Sequence, residues 1–364
     1  MYKIDISDEM KQRHLGCIGT NIDKFLRHIA DGGAVTWQTT NKNERSKTID
    51  ACRGARTYLR DVCRRFIKDD ILVAEPHTLF EFAKFERELR ATLSKNGCER
   101  QIASCQKVFK KLLNYDAFRD GKILQLPDKD WKIVWKSTGG NDERDLWGAW
   151  SFIKSLGVRY CPYCNAETVG NMSFKEADGS VFTHQSALDH ILPKADYPLL
   201  SLSLYNLVPC CPRCNSSFKG SADVLNEFKG GVLPRLNPYI ENIHDYVAFD
   251  YAPKSVRELF PEKDGRSPLY SYVKSAKRKL ASRKFIKEFH LDECYRDLYM
   301  DELSQTLKIL SHYSVFARKA LDGKYPGIVE SDIDPLMLRA PSSPSEINKV
   351  RFGKIMYDIY GCFA

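Results

Sequence analysis

The sequence lacks a long hydrophobic run. No apolar stretch reaches the ~18–20 residues that a helix needs to cross a bilayer. The first residues, MYKIDISDEMKQRHLG, are polar and charged, whereas a signal peptide carries an apolar core. These absences predict a cytoplasmic protein with no membrane association. The apolar fraction of 43% and the charged fraction of 28% are those of an ordinary globular chain.

Internal repeats of fixed period and low-complexity tracts are also absent, which excludes repeat architectures. The sequence has neither a helix-turn-helix nor an RNA-recognition signature, so no element is identified that would read base sequence. At 364 residues the chain exceeds the ~250–300 residues at which single cores stop growing. We therefore expect two or three structural units.

Acidic residues are fewer than basic ones, 47 against 56, and the net charge of +9 favours a polyanionic partner without specifying it. Nine Lys or Arg residues and three acids lie between Lys42 and Lys68, and KSAKRKLASRKFIK carries seven cations and no acid. A helix with cations on most faces is suited to contact backbone phosphates, and a solvated face is the alternative interpretation.

Helical periodicity covers both ends of the chain. Apolar residues recur every three or four positions in NIDKFLRHIA, FEFAKFERELRATL and CQKVFKKLLNY, and again in SYVKSAKRKLASRKFIKEF and INKVRFGKIMYDIYGCF. KSTGGNDER, residues 136–144, is the best linker candidate, and DLWGAWSFIKSLG predicts a helix that ends at Gly157. We predict an α+β, mainly α-helical protein with helical regions at 1–140 and 241–364 and a mixed central module at 141–240.

Five of the twelve cysteines cluster in that central module. Cys161-Pro-Tyr-Cys164 and Cys211-Pro-Arg-Cys214 have the C-x-x-C spacing that directs two thiolates to one point, and together they supply four soft ligands. This number suits a closed tetrahedral zinc site, which would be structural because it has no open coordination position. Buried thiols or redox use are the alternatives. Cys210 lacks the C-x-x-C spacing to Cys214 and is interpreted as a packing residue.

Asp189 and His190 form a second candidate group, at the end of a predicted strand that Pro193 helps to terminate. Side chains at a strand end can both reach one site. Aspartate is a hard oxygen ligand suited to magnesium, and neutral imidazole accepts a proton from water near neutral pH. Taken alone, the pair also fits a core histidine oriented by its neighbour. His184, six residues earlier, is interpreted as an ordinary strand histidine.

The order of these residues resembles the HNH, or ββα-metal, nuclease family in its zinc-stapled form. In that family a strand ends in Asp-His-Ile-x-Pro, a second strand carries Asn-Leu, and a zinc knuckle opens a helix with C-x-x-C-N-x-x-K-G. The matching residues here are Asp189-His190-Ile191-Leu192-Pro193, then Asn206-Leu207, then the stretch from Cys211 to Gly220, with one extra residue between Asn215 and Lys219. The resemblance covers about 60 of the 364 residues.

The resemblance implies a role for each matched residue. His190 would be the general base, Asp189 and Asn215 would hold a catalytic Mg²⁺ or Mn²⁺ on the scissile phosphate, and Asn206 would brace the loop that follows His190. Many members have a histidine where this chain has Asn215, and the amide favours hard cations over a catalytic zinc.

Lys194, Arg213 and Lys219 lie beside these positions in the sequence. They are candidate phosphate contacts, and solvated surface cations are the alternative at each position.

The run from YCPYCN to LNPY, with RFGKIMYDIYG near the end, is similar to the longer HNH proteins of bacterial antiphage defence loci, including those paired with an ATPase in Septu-type and retron-linked systems. This similarity implies a DNA-cleaving effector that a regulatory ATPase partner holds in check. RNA or tRNA cleavage is an alternative, because the sequence does not indicate whether the substrate contains ribose or deoxyribose. A non-catalytic zinc-stapled module that binds nucleic acid or acts as a sensor is another.

Overall fold

The computed structural model of the chain describes residues 2–33, 36–37, 47–48, 53–126, 131, 133–137, 147–176, 178–220, 224–251, 269–298, 341 and 343–363. Within these ranges the protein consists of helices and small antiparallel two-stranded sheets. The predicted α+β, mainly helical class is therefore confirmed. Most of the predicted linker at 136–144, with the boundary at residues 140 and 141, lies outside the described residues.

Helices dominate the described part of the N-terminal region. They are α1 Asp8–His14, α2 Thr20–Ala30, α3 Arg53–Lys68, α4 Pro76–Leu93, α5 Glu99–Leu112 and α6 Tyr115–Arg119. Wide helical turns at Leu15–Gly19 and Ser94–Cys98 join α1 to α2 and α4 to α5. The Ser7 hydroxyl caps α1 by accepting from the amide of Met10 at 3.2 Å. The predicted helices in α2, α4 and α5 are confirmed.

The described strands pair two by two in antiparallel fashion. The pairs are β1 Thr36–Trp37 with β2 Lys47–Thr48, β3 Ile123–Gln125 with β4 Val134–Lys136, β5 Asn171–Lys175 with β6 Val181–Gln185, β7 Ala187–His190 with β8 Leu207–Cys210, and β9 Val247–Tyr251 with β10 Leu269–Val273. The prediction that a helix begins at Ser271 is wrong. Tyr-Ser-Tyr-Val alternates exposed and half-buried side chains, and this period of two suits a strand against β9.

The remaining helices are α7 Ala149–Leu156, α8 Lys279–Glu288, α9 Leu291–Leu298 and α10 Gly353–Phe363. Short helical turns occur at Pro198–Leu200, Leu204–Asn206, Arg213–Lys219, Val224–Glu227, Ile243–Asp245 and Pro344–Lys349. Gly157 ends α7 as predicted, because its φ of 62° lies in the left-handed region that glycine adopts without strain. No helix in the described part of the chain is long and apolar enough to span a membrane.

Buried side chains from the beginning, middle and end of the chain form one hydrophobic cluster, which includes Phe25, Phe109, Phe152, Phe285 and Ile355. Backbone hydrogen bonds extend this connection. The amide of Ile4 donates to Pro238 at 2.7 Å, and that of Leu204 donates to Leu72 at 2.9 Å. The central residues are thus packed on both sides by elements distant in sequence.

Candidate metal centre and adjoining cleft

The four predicted cysteine ligands meet at one point. The sulfur atoms of Cys161, Cys164, Cys211 and Cys214 all lie within 4.8 Å of one another, and all four residues are buried. The sulfurs of Cys164 and Cys211 are 3.9 Å apart. A tetrahedral zinc ion with Zn–S bonds of ~2.3 Å separates its ligands by about 3.8 Å. The four-cysteine cluster therefore fits a structural metal ion such as zinc.

Hydrogen bonding within the cluster already favours a thiolate. Bonds from the other three thiols hold the pKa of Cys164 well below its usual value, whereas burial first of all raises the pKa of Cys161. A metal ion that binds here must displace the remaining thiol protons. Cys210 is buried but lies outside the four-cysteine cluster, and burial raises its pKa as well.

The two knuckles share the sequence C-P-x-C-N and the same backbone turn. The amide of Asn165 donates to Cys161 O at 2.7 Å, and the amide of Asn215 donates to Cys211 O at 3.0 Å. In the second knuckle the amide of Cys214 also lies 3.4 Å from the sulfur of Cys211. The first knuckle ends in a fully buried asparagine, and the second ends in one that lines a cleft.

A strand-strand-helix unit carries the other predicted residues. Asp189 and His190 end β7, opposite Val208 and Leu207 of β8, and the helical turn Arg213–Lys219 follows β8. Asn206 immediately precedes β8. The structure thus brings Asp189, His190, Asn206 and Asn215 into one unit next to the cysteine cluster.

His190 is held in one tautomer. Its Nε2 lies 3.0 Å from the carbonyl oxygen of Ser201, which can only accept, so Nε2 carries the proton and Nδ1 keeps its lone pair. The ring packs edge-on against Tyr115, with centroids 4.6 Å apart. Burial lowers the pKa of His190 to about 3, with smaller contributions from Lys194 and Lys219. The imidazole is therefore neutral at neutral pH.

Asn206 fastens the loop between β7 and β8. Its Oδ1 accepts from the amide of Leu192 at 2.7 Å, and its Nδ2 donates to the carbonyl oxygens of Leu192 at 3.1 Å and Leu200 at 2.9 Å. These three bonds fix the loop. Ser201, which directly follows Leu200, accepts the hydrogen bond from the imidazole of His190. Asn206 therefore connects Leu192 near the start of this loop to Leu200 near its end.

Asp189 is enclosed by protein donors. It is 2% exposed, and its Oδ2 accepts from the Tyr163 hydroxyl at 2.8 Å. Its Oδ1 lies 2.7 Å from the ammonium of Lys219, which also donates to the carbonyl oxygen of His190 at 2.6 Å. Lys219, a candidate phosphate contact, is therefore buried and forms an ion pair with Asp189.

The other two candidate phosphate contacts differ in position. Lys194 lines the cleft, with its Nζ 4.3 Å from the centre of the Tyr115 ring and 3.5 Å from Asp116. Arg213 is paired with Glu167 at 3.1 Å and is not among the residues that line the cleft. Only Lys194 of the three is therefore placed in the cleft.

The cleft beside His190 has a volume of about 630 Å³ and is open to solvent. Asp189, His190 and Asn215 line one part of it, and Tyr115 and Arg119 of α6 line another. The lining combines polar side chains with the cations Arg119 and Lys194 and the acids Asp120 and Asp189, which suits a polar ligand better than an apolar one.

Sequence reasoning missed Tyr115, Arg119 and Tyr163. The first two come from the N-terminal helical region, and Tyr163 lies between two metal ligands, where only its bond to Asp189 reveals a role. His184, by contrast, is exposed on β6 opposite Met172, and it does not line the cleft.

The structure thus combines a buried four-cysteine cluster with a polar cleft that has a neutral, oriented histidine at its wall. Comparisons of the chain with protein-family models, with curated proteins and with solved structures find no match.

Proposed function

We propose that this protein is a metal-dependent endonuclease of the HNH class that hydrolyses DNA phosphodiester bonds. The observation that carries the proposal is the state of His190. Its Nε2 donates to Ser201 O, so Nδ1 is the proton acceptor on a side chain that lines the polar cleft. A neutral imidazole held in this way can take a proton from a water that attacks phosphorus.

The donor set fits a hard divalent cation. Asp189 and Asn215 line the same cleft and offer carboxylate and amide oxygens, which Mg²⁺ and Mn²⁺ prefer. A carboxylate has about four acceptor sites, and Tyr163 and Lys219 use two of those on Asp189. When bound, such an ion would neutralise charge on the phosphate and stabilise the leaving oxygen.

The chain's own residues divide the remaining work. His190 accepts the proton at Nδ1, while Asn206 and the Ser201 carbonyl hold its ring and loop in place. Lys194 and Arg119 line the cleft and would contact phosphates of the bound strand in exchange for their ion pairs with Asp116 and Asp120. The expected products are a 5′-phosphate and a 3′-hydroxyl.

Cleavage of supercoiled plasmid in the presence of magnesium tests the proposal. Wild type should nick or linearise the plasmid, and His190→Ala should lose cleavage by at least about a hundred-fold because the general base is gone. The matched control is His184→Ala, which alters an exposed histidine outside the cleft and should cut like wild type. Binding of the plasmid by each variant is measured in parallel, and equal cutting by His190→Ala would refute the assignment.

A second candidate is a non-catalytic zinc-stapled module that binds nucleic acid. The ion pair of Lys219 with the enclosed Asp189 favours it, because the ammonium already neutralises the carboxylate that would otherwise attract a divalent cation. If the protein is such a module, it should bind plasmid without cleaving it in the presence of any divalent metal ion. The same assay on RNA and tRNA separates ribonuclease activity from the DNA proposal. The role in antiphage defence and the regulatory ATPase partner stay predictions from the resemblance.

A further inference from the structure

Helix α8 carries a stripe of cations on its exposed face. Lys279, Arg283 and Lys287 are spaced four residues apart and are all exposed, whereas Ala281 and Phe285 on the opposite face are buried. A rise of ~1.5 Å per residue places successive cations of the stripe about 6 Å apart along the helix axis. The helix therefore presents a regular row of positive charge to solvent.

Exposed aromatic rings lie beside this row. Tyr270 and Tyr272 share one face of β10, and each is 44% exposed. A shallow depression of about 460 Å³ is lined by Tyr272, Lys279 and Arg283 among others. Flat rings that alternate with cations are typical of surfaces that bind single-stranded nucleic acid, since rings stack on bases and cations contact phosphates.

Two acids near the stripe are paired with other cations, and a third, Asp250 on β9, accepts from the Tyr270 hydroxyl at 2.7 Å. Glu227 forms an ion pair with Lys284, and Glu241 binds Arg278 at 2.6 Å. Among the described residues, Lys279, Arg283 and Lys287 form no ion pair. Lys277, exposed just before α8, forms none with a described residue either. The four cations of this face therefore have no ion-pair partner in the described part of the chain, and Asp250 adds one negative charge beside Tyr270.

We infer that this face binds a strand of nucleic acid. The α8 surface consists of Tyr270, Tyr272, Lys277, Lys279, Arg283 and Lys287. Its cations contact successive phosphates and its tyrosines stack on unpaired bases. The inference rests on the proposed function for the choice of nucleic acid as the polyanion, but it does not require hydrolysis.

The buried side of α8 connects this surface to the candidate site. Phe289, which directly follows α8, stacks on Tyr163 with ring centroids 4.3 Å apart. Tyr163 in turn donates to Asp189 at 2.8 Å. A strand bound to the exposed face of α8 would therefore lie on an element whose buried side packs on Tyr163, the hydrogen-bond partner of Asp189.

Binding of fluorescently labelled single strands and duplexes, measured by anisotropy over a range of salt concentrations, tests the inference. The protein carries His190→Ala and no divalent metal is added, so that hydrolysis does not interfere. Adding Lys279→Ala, Arg283→Ala and Lys287→Ala should weaken single-strand binding at low salt at least ten-fold. The slope of log affinity against log salt should fall by roughly two, since each single-strand phosphate contact contributes ~0.7.

The matched control removes the same charges from another helix. Arg100, Lys107 and Lys110 on α5 are exposed and form no ion pair with a described residue, so their triple alanine variant has the same net charge. It should bind within about two-fold of the parent. Tyr272→Ala should weaken single-strand binding about five-fold or more, and Tyr272→Phe should preserve it.

Three results overturn the inference: unchanged affinity in the α8 triple variant, an equal loss in the α5 variant, or an equal loss in Tyr272→Phe and Tyr272→Ala. Unchanged affinity would also point to an acidic protein as the occupant. Failure of the proposed function looks different, because wild type would then leave plasmid intact while the α8 triple variant still lost binding.

Discussion

At the scale of single residues, the ion pair between Lys219 and Asp189, at 2.7 Å, sets the charge next to His190. Breaking a buried pair leaves an uncompensated charge and costs about 3–5 kcal/mol. Lys219→Met should therefore lower the melting temperature, and added Mn²⁺ should restore part of it by replacing the ammonium on Asp189. The measurement is the melting temperature of each protein with and without Mn²⁺. The control is Lys194→Met, because Lys194 is a cation of the cleft that does not contact Asp189. The prediction is contradicted if Mn²⁺ raises the melting temperature of Lys219→Met and of wild type by the same amount.

His14 gives the fold a dependence on pH. Its Nδ1 accepts from the Trp147 indole at 2.8 Å and its Nε2 donates to Leu202 O at 2.9 Å. Burial lowers the pKa of His14 from 6.5 to about 3. Between these values the unfolded chain binds a proton that the folded chain does not, so the free energy of unfolding falls as pH decreases, by up to about 1.4 kcal/mol per pH unit.

His14→Gln should therefore lose less stability than wild type between about pH 7 and pH 5, although it starts from a lower stability. Denaturant unfolding at both pH values measures the difference. His184→Gln replaces an exposed histidine and should keep the wild-type dependence. Identical pH dependence in His14→Gln and wild type would show that His14 is not the responsible group.

At the scale of elements, the junction of β8 with the second knuckle offers a matched pair of neighbouring cysteines. Cys211 belongs to the four-cysteine cluster and Cys210, equally buried, does not. Cys211→Ala should lose bound zinc and melt several degrees lower, because zinc binding contributes directly to folding free energy. Cys210→Ala should keep its zinc. Metal analysis and thermal melting measure both, and retention of zinc and melting temperature in Cys211→Ala would refute the metal centre.

Local patterns account for most of what sequence alone predicted correctly. The C-x-x-C spacing identified all four cysteines of the cluster, and the 3.6-residue period identified α2, α4, α5 and α7. Strand β10 was missed because its five residues form a strand only by pairing with β9, which is distant in the sequence. The contact of Lys219 with Asp189 joins residues 30 positions apart, and no local pattern carries that information.

At the scale of the whole molecule, both ends of the described chain are attached to the first knuckle. The Tyr2 hydroxyl donates to Tyr160 O at 2.5 Å. The buried side chain of Asn165 donates from Nδ2 to Ile347 O at 3.2 Å, and its Oδ1 accepts from the backbone amide of Lys354 at 2.8 Å. The first knuckle is thus held by residues near both ends of the described chain.

Asn165→Ala should therefore weaken the fold without touching a metal ligand. It leaves a buried carbonyl and a buried amide unpaired, at about 1–3 kcal/mol each, and puts alanine at a φ of 58°. Asn215→Ala changes the matching residue of the second knuckle, which is half-buried in the cleft, and should melt like wild type. Equal melting temperatures for the two variants would contradict this asymmetry.

The attachment of Asn165 to Ile347 also orders events during synthesis of the chain. These residues are 182 positions apart. At ~5–20 residues per second, the ribosome needs roughly 10–40 s after Asn165 to reach its partner Ile347. During this interval the nascent knuckle lacks its bonds to Ile347 and Lys354, and its thiols can meet zinc or an oxidant before the C-terminal segment is in place.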